Sequence, residues 1–251
     1  MPTVSQHYEK ILADVYSWML GGFESGTRKN YGFFKHHNIN PTGSGLAVDL
    51  GAGCGFQSIP LAQMGFSVTA IDLEEKLLNE LKENSNKLAI VTVRDDLINF
   101  DRHIKNNPEL IVCMTDTIIH LESKDKITLL FQKAFSSLEK SGKFVITLRD
   151  LSTELSELDR FIPVKSDENI VFTCFLEYEP TTVKVHDLVY KKDSDGWKLN
   201  KGFYRKLRLS KQWIDEQLEE VGFSKIESNI EKGIVTAIAT KYSGLQVYQG
   251  Q

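Results

Sequence analysis

The chain has 251 residues, which is enough for one large domain or two small ones. Hydrophobic residues make up 41% and charged residues 25%, a composition that excludes wholesale disorder. The net charge of −4 disfavours nucleic acid and anionic membranes as partners, because the protein as a whole does not attract polyanions.

The cysteines and the N-terminus predict the compartment. Cys54, Cys113 and Cys174 are odd in number and widely spaced, which favours neither a disulfide framework nor a zinc site. The histidine spacing gives no support for any other metal. The first residues lack a basic stretch followed by an apolar run, and no apolar segment is long enough to cross a bilayer. We expect a cytoplasmic protein, monomer or homodimer, without membrane contact.

The N-terminal 45 residues predict a helical cap. Apolar residues at nearly helical spacing indicate an amphipathic helix from Ser5 to Leu20, and Gly21 and Gly22 end it. Turn residues at 41–45 lead into the first predicted strand, Leu46–Leu50.

From this strand onward, short apolar strands alternate with helical patterns. Ser123 is a suitable N-cap for one of the helices. Alternation of this kind predicts a parallel sheet covered by helices on both faces. The further predicted strands are Ser67–Ile71, Leu88–Val93, Leu110–Met114 and Lys143–Leu148.

The pattern changes over residues 151–209, where strands predict an inserted antiparallel β-meander. Ser210 then suits the N-cap of a helix that Gly222 ends, and a terminal hairpin follows. The three predicted meander strands are Ile170–Tyr178, Val183–Lys191 and Trp197–Leu209, and the two hairpin strands are Phe223–Ile230 and Ile234–Thr240.

The most informative segment is the glycine loop after the first strand. Gly51, Gly53 and Gly55 occupy alternate positions between that strand and the next helix. Glycines allow a tight turn and the close approach of a ligand to the backbone. A dinucleotide fingerprint would need a third glycine where Phe56 stands, so a nicotinamide oxidoreductase is disfavoured.

Acidic residues lie at the ends of the first three predicted strands. Asp49 closes the first strand, Asp72 the second, and the pair Asp95-Asp96 follows the third. Ligands of open α/β sheets bind beyond the carboxyl ends of the strands, so these acids indicate a cleft at that edge. Asp72 could accept two hydrogen bonds from the hydroxyls of a ribose.

With these motifs, Leu46–Asp150 resembles the class I S-adenosylmethionine-dependent methyltransferases of the small-molecule type. The resemblance implies S-adenosylmethionine as cofactor, with Asp72 on the ribose and Asp96 and Leu97 on the adenine side, Asp95 being the alternative acid. Asp49 either contacts the cofactor or anchors the loop backbone. The cofactor-binding residues expected from this resemblance are Tyr16, Asp49, Gly51, Ala52, Gly53, Gly55, Asp72, Leu73, Asp96, Leu97 and Met114.

The resemblance also implies a fold and a division of the chain. The fold class is α/β, a Rossmann-like open sheet of mostly parallel strands with a terminal antiparallel hairpin and an inserted antiparallel β-meander. Residues 1–45 are expected to form an N-terminal helical cap, and 46–150 with 210–241 the S-adenosylmethionine-binding domain. Residues 151–209 are expected to form an inserted lid over the substrate.

Two residues near the predicted methyl donor are candidates for catalysis. His120 follows the fourth strand of the sheet and is a candidate base, and Arg149 follows the fifth. Transfer to a nitrogen or oxygen of a small-molecule acceptor is the leading hypothesis. The alternatives are methylation of nucleic acid or protein and a catalytically silent cofactor-binding module. Against nucleic acid, the segment after the fourth strand lacks an Asn/Asp-Pro-Pro-Tyr motif.

Overall fold

The computed structural model describes residues 3–242, so the first two residues of the predicted cap lie outside the described part. The helices are α1 (Val4–His7), α2 (Tyr16–Met19), α3 (Phe23–His36), α4 (Ser58–Gln63), α5 (Glu75–Ser85), α6 (Lys124–Ser137) and α7 (Lys211–Val221). A π-helical turn spans Tyr8–Leu12, and 3₁₀ turns span Leu97–Arg102, Thr117–His120 and Glu157–Arg160. None of these helices is long and apolar enough to span a bilayer.

Eleven strands of residues 3–242 form two sheets. Seven strands make sheet A, in the order β10-β11-β5-β4-β1-β2-β3, and four make sheet B, in the order β6-β7-β8-β9. The strands are β1 (Leu46–Leu50), β2 (Ser67–Asp72), β3 (Ile90–Arg94), β4 (Leu110–Cys113), β5 (Lys143–Arg149), β6 (Phe161–Ser166), β7 (Ile170–Tyr178), β8 (Thr182–Asp193), β9 (Gly196–Leu207), β10 (Lys225–Glu231) and β11 (Ile234–Thr240).

Sheet A confirms the predicted α/β architecture. Strands β1 to β5 pair in parallel, and β11 joins β5 antiparallel as one arm of the terminal hairpin. Apolar residues of α6 and α7 pack on one face of the sheet, and those of α3 and α4 on the other. Strand order reverses at β1, which has β2 on one side and β4 on the other, so a crevice opens there at the carboxyl edge.

Local signals in the sequence set several helix ends as predicted. The Ser123 hydroxyl accepts a hydrogen bond from the Lys126 amide at the start of α6. The Ser210 hydroxyl does the same for the Trp213 amide at the start of α7. Gly222 ends α7 with a φ of 115°, a left-handed conformation that glycine adopts without steric cost.

The N-terminal segment departs from the single helix predicted over Ser5–Leu20. Residues 3–20, here called the roof, contain two short helices and a π-helical turn instead. The reason is that the roof serves two hydrophobic clusters. Leu12 and Val15 pack on sheet B, whereas Ala13 packs beside the glycine loop of sheet A.

Two elements were not predicted. Helix α3 carries two glycines and few aliphatic residues, and Gly26 allows the ring of Phe56 to pack directly on its backbone. Strand β6 lies at the edge of sheet B and makes the insertion four-stranded rather than three-stranded. It contains Pro163 and a shift in register, features that weaken a strand signal in the sequence.

Candidate active site

A cavity of about 530 Å³ lies at the carboxyl edge of sheet A, between that sheet, the roof and sheet B. The loops after β1, β2 and β3, with Tyr16 of the roof, form one side. Tyr8 of the roof, the turn after β4 and β9 form the other side. The two sides are here called the motif half and the aromatic half, and they are described in turn.

The glycine loop opens the motif half. The amides of Gly51 and Ala52 both donate to the carbonyl of Ile71, which ties the loop to the end of β2. The Gly53 amide donates to Asp72 Oδ2 over 2.7 Å, and the Glu74 amide donates to Asp72 Oδ1 over 2.8 Å. Burial raises the pKa of Asp72 above its ordinary value, although these backbone donors work in the opposite direction.

The two acids after β3 have different environments. Asp95 is engaged by its own segment, because its oxygens accept bonds from the Asp96 amide, Asn99 and His103. Asp96 Oδ1 caps the following 3₁₀ turn at the Ile98 amide. Within residues 3–242, Asp96 Oδ2 has no hydrogen-bond donor, so of the two acids Asp96 has the oxygen available for a ligand.

The loop after β4 holds an unusual backbone. Thr115 and Asp116 have φ of 58° and 70°, a left-handed conformation that costs roughly 1–2 kcal/mol for a residue with a Cβ. The Thr115 amide donates to Thr147 Oγ1, and Gln57 donates to Thr115 Oγ1. This arrangement directs Thr115 and Thr117 into the cavity.

Three rings converge in the aromatic half. Tyr8 comes from the π-helical turn, His120 from the 3₁₀ turn after β4, and Tyr204 from β9. Their centroids are 5.8 Å apart for Tyr8 and His120, 5.4 Å for His120 and Tyr204, and 6.3 Å for Tyr8 and Tyr204. All three line the cavity.

His120 is a neutral base in this setting. Burial lowers its pKa to about 3, and the charge of Lys206 adds to the effect. Its Nδ1 is buried and has no hydrogen-bond partner in residues 3–242. Burial likewise raises the pKa of the Tyr8 and Tyr204 phenols, so both hydroxyls stay protonated. A buried polar atom without a protein partner is costly, so His120 Nδ1 has its lone pair or proton available to a ligand in the cavity.

An ion-pair network closes the floor of the aromatic half. Lys206 Nζ lies 2.7 Å from Asp116 Oδ2, and the Arg149 amide donates to Asp116 Oδ1. Although burial alone would raise the pKa of Asp116, the cations of Lys206 and Arg149 outweigh it and hold the pKa below its ordinary value. The floor is therefore charged but internally paired.

Seven of the eleven expected cofactor residues line the cavity. Asp49 lies beneath the loop, 1% exposed, where its Oδ2 accepts a hydrogen bond from Ser58. Ala52 and Met114 are buried in hydrophobic clusters, and Gly55 lies against Leu81. The seven that line it are Tyr16, Gly51, Gly53, Asp72, Leu73, Asp96 and Leu97.

The two catalytic candidates lie in different places relative to the cavity. His120 lines the cavity, whereas Arg149 lies outside its described lining and has a side chain 60% exposed, with Nε 3.3 Å from Asp116. Sequence reasoning gave no special weight to Lys206 in this site. It lies on the same inner face of β9 as Tyr204, two residues further along the strand. A charged residue at an inward position was the signal available.

Comparison with known proteins finds a family match over part of the chain. The methyltransferase-domain family model matches residues 47–142. Glycine/sarcosine N-methyltransferase of Aphanothece halophytica is 26% identical over 128 residues, covering 50% of this chain and 48% of that protein. The chain thus spans about half the length of this curated relative, and the same holds for its counterpart from Halorhodospira halochloris.

Solved structures extend the likeness to the whole fold. The CcbJ methyltransferase of Streptomyces caelestis has a TM-score of 0.72 at 19% identity, covering 94% of this chain and 98% of that one. The sugar N-methyltransferase KedS8 of Streptoalloteichus has a TM-score of 0.71 at 12% identity, covering 92% of each chain. Both matches include sheet B as well as sheet A, since they cover nearly all of this chain.

Proposed function

We propose that this chain, which contains a methyltransferase domain and has the fold of the S-adenosylmethionine-dependent methyltransferases, methylates a nitrogen or oxygen of a small molecule. The observation that carries the proposal is the cavity itself. A glycine loop and an available carboxylate form one half, and an unpartnered histidine among tyrosines forms the other. The two halves suit a donor and an acceptor in contact.

The motif half fits S-adenosylmethionine. A Cβ at Gly53 would fill the gap between Tyr16, 3.6 Å from that position, and Leu77, 3.8 Å from it, and glycine keeps this gap free. The Asp72 carboxylate uses one lone pair of each oxygen on the backbone and keeps others for ribose hydroxyls. Asp96 and Leu97 would hold the adenine side, and Tyr16 would cover the methionine side. Bound S-adenosylmethionine supplies an electrophilic methyl group together with its own leaving group.

The aromatic half holds the acceptor in this proposal. Tyr8, His120 and Tyr204 exclude water and align the nucleophile, and alignment alone can contribute about 7–11 kcal/mol to catalysis. Neutral His120 accepts a hydrogen bond from the attacking group and orients its lone pair toward the methyl donor; the lowered pKa of His120 favours this positioning role over holding the proton. Arg149 acts through Asp116, whose ion pair with Lys206 fixes β9 against the end of β4.

A small molecule is favoured over a macromolecule. The cavity size is in the range of small-molecule sites and is shared with the cofactor. The basic residues of β9 do not form a free cationic face, because Lys206 pairs with Asp116, Arg205 with Glu179, and Arg208 with Glu154. The N-methyltransferase names of relatives acting on glycine, sarcosine and sugars support the same class.

The insertion and the compartment complete the proposal. Residues 151–209 act as a lid, since β9 supplies Tyr204 and Lys206 to the acceptor side. Three free cysteines, two of them buried, support a cytoplasmic setting.

Calorimetry with S-adenosylmethionine and S-adenosylhomocysteine tests the donor. The native chain should bind both, and Asp72→Ala should weaken binding about 100-fold, because a charge-assisted bond to each ribose hydroxyl contributes about 1.5–3 kcal/mol. Glu75→Ala is the matched control, since Glu75 is an exposed carboxylate outside the described lining. No binding by the native chain, or undiminished binding by Asp72→Ala, overturns the proposal.

Methyl transfer from a radiolabelled donor tests the acceptor class. After incubation with a cell extract, label in the ultrafiltrate supports a small molecule. If the label appears only in a fraction that nuclease or protease degrades, the acceptor is a nucleic acid or a protein instead. Donor binding without label in any fraction supports a catalytically silent module.

A further inference from the structure

A buried pair outside the cavity joins the roof to sheet B. His7 in α1 and Asp187 in β8 are 3% and 1% exposed, and His7 Nε2 donates to Asp187 Oδ2 over 2.7 Å. The other carboxylate oxygen accepts a hydrogen bond from Cys174 Sγ over 2.9 Å. Neither His7 nor Asp187 is among the described residues that line the cavity.

His7 also contacts the rings of the aromatic half. Its ring centroid lies 4.7 Å from that of Tyr204, which in turn lies against His120. Tyr8 follows His7 directly in the chain and packs edge-on against both Tyr204 and His120. The position of His7 therefore sets where the roof places Tyr8 over the cavity.

Strand β9 is shaped to receive His7. Gly202 is the register partner of Asp187, and a Cβ on Gly202 would lie 2.9 Å from His7 Nδ1 and 2.8 Å from Ile11 Cδ1. The φ of Gly202 is outside the left-handed region, so this glycine serves packing rather than backbone conformation. Only a residue without a side chain lets the roof approach β9 this closely.

Other polar contacts of the roof lie nearer its far end and are more exposed. Trp18 donates to Asp167, and Lys165 donates to the Trp18 carbonyl. Asp14 pairs with Lys76 and Lys191, and the Ser17 hydroxyl donates to Glu80. A buried polar pair differs from these, because separating it without solvation leaves two unsatisfied groups. Lifting the roof would therefore have to separate this pair and expose both groups to water.

We propose that His7 and Asp187 are positioning residues that hold the roof closed over the cofactor, so that cofactor dissociation requires their hydrogen bond to break. The ligand in this inference rests on the proposed function. Gly21 and Gly22, with φ of 96° and 93°, join the roof to α3 and provide the hinge. Tyr8 and Tyr16, together with Thr3, Val4 and Ser5, are the roof residues that line the cavity and leave it when it opens.

The dissociation rate of S-adenosylhomocysteine tests the inference without knowledge of the acceptor. In stopped-flow displacement, Gly202→Ala should release it about tenfold faster than the native chain, because the added methyl pushes His7 away from Asp187 and breaks their buried hydrogen bond. Gly32→Ala is the matched control. Its Cβ meets nothing within 4 Å, and its rate should equal that of the native chain.

Variants of the pair itself separate positioning from simple stability. His7→Phe keeps a ring against Tyr204 but removes the donor, and should raise the rate as Gly202→Ala does. Asp187→Leu removes the acceptor and should raise the release rate. Asp187→Asn retains an acceptor oxygen and should release the ligand at close to the native rate. Glu109→Gln alters a buried carboxylate at the opposite, amino edge of sheet A. It should lower the Tm without changing the rate.

The outcomes distinguish the two proposals. If the native chain does not bind S-adenosylhomocysteine, the proposed function fails. If it binds, and both Gly202→Ala and His7→Phe release the ligand within about twofold of the native rate, this inference alone is wrong. These two variants decide the matter even if Asp187→Leu does not fold.

Discussion

The two halves of the cavity are built in different ways. The motif half comes from loops that end neighbouring strands of sheet A, so its residues follow β1, β2 and β3 in sequence order. The aromatic half takes Tyr8, His120 and Tyr204 from three distant parts of the chain. A parallel sheet brings the first set together automatically. The second set meets only because the roof and sheet B fold over the edge.

Their electrostatics differ as well. The motif half presents carboxylates with lone pairs to spare, at Asp72 and Asp96. The aromatic half presents neutral rings above an internally paired floor of Asp116 and Lys206. A polar nucleoside suits the first environment. An uncharged nucleophile, positioned by rings and one free imidazole nitrogen, suits the second.

The largest expected effect is on the motif half, with Gly53→Ala. A Cβ at Gly53 would point into the space between Tyr16 and Leu77, where the proposed cofactor would pass. We expect the affinity for S-adenosylhomocysteine to fall about 100-fold, because overpacking a close-fitting site costs about 1–3 kcal/mol. Isothermal calorimetry measures the change.

The control for this variant isolates backbone strain. Gly45→Ala imposes a similar left-handed strain, with a φ of 67° against 52° at Gly53, but its Cβ meets nothing within 4 Å. Both variants should lose similar thermal stability, and only Gly53→Ala should lose affinity. Equal losses of affinity would mean that strain, rather than ligand space, explains the requirement for glycine at position 53.

The contrast between the halves also explains what the sequence could predict. The glycine loop and Asp72 were found because each is contiguous with a strand whose apolar run is unambiguous. Helix α3 was missed because its glycines and charged residues weaken the helical pattern, and its buried residues are only Gly26 and Phe34. Strand β6 was missed because its outer residues, such as Phe161, are exposed and alternate poorly.

The side chains that pair behind the aromatic half could be matched only in the tertiary structure. Asp187 stands at an inward position of β8 between Val185 and Val189, a pattern that indicates a buried partner but does not name it. That partner, His7, lies 180 residues away. The contacts of the roof likewise could not be read from the sequence, because its residues pack in two clusters formed by distant parts of the chain.

The next effect concerns Asp49, beneath the motif half. Burial raises its pKa to about 7, so the folded chain keeps a proton that the unfolded chain releases above about pH 4. This contribution to stability is complete at low pH and is lost as the pH rises through 7. Between about pH 5 and pH 7 the free energy of unfolding should fall by about 2 kcal/mol from this group.

Asp49→Asn tests that contribution and the role of the residue together. Urea unfolding across this pH range should show a shallower decline for the variant, with the remaining slope coming from Asp72 and other groups. If Asp49 is an anchor of the loop, the variant should keep its affinity for S-adenosylhomocysteine, unlike Gly53→Ala. Parallel pH profiles for the two proteins would contradict a proton on Asp49.

The smallest expected effect compares one hydroxyl from each half. Tyr16 stacks near Phe56 and lines the cavity, and within residues 3–242 its hydroxyl has no hydrogen-bond partner. Tyr16→Phe should weaken S-adenosylhomocysteine binding about threefold, because one neutral hydrogen bond contributes about 0.5–1.5 kcal/mol. Tyr204→Phe, the matched change in the aromatic half, should leave that affinity unchanged. If both variants weaken binding equally, the cofactor reaches into both halves and the boundary between them lies nearer β9.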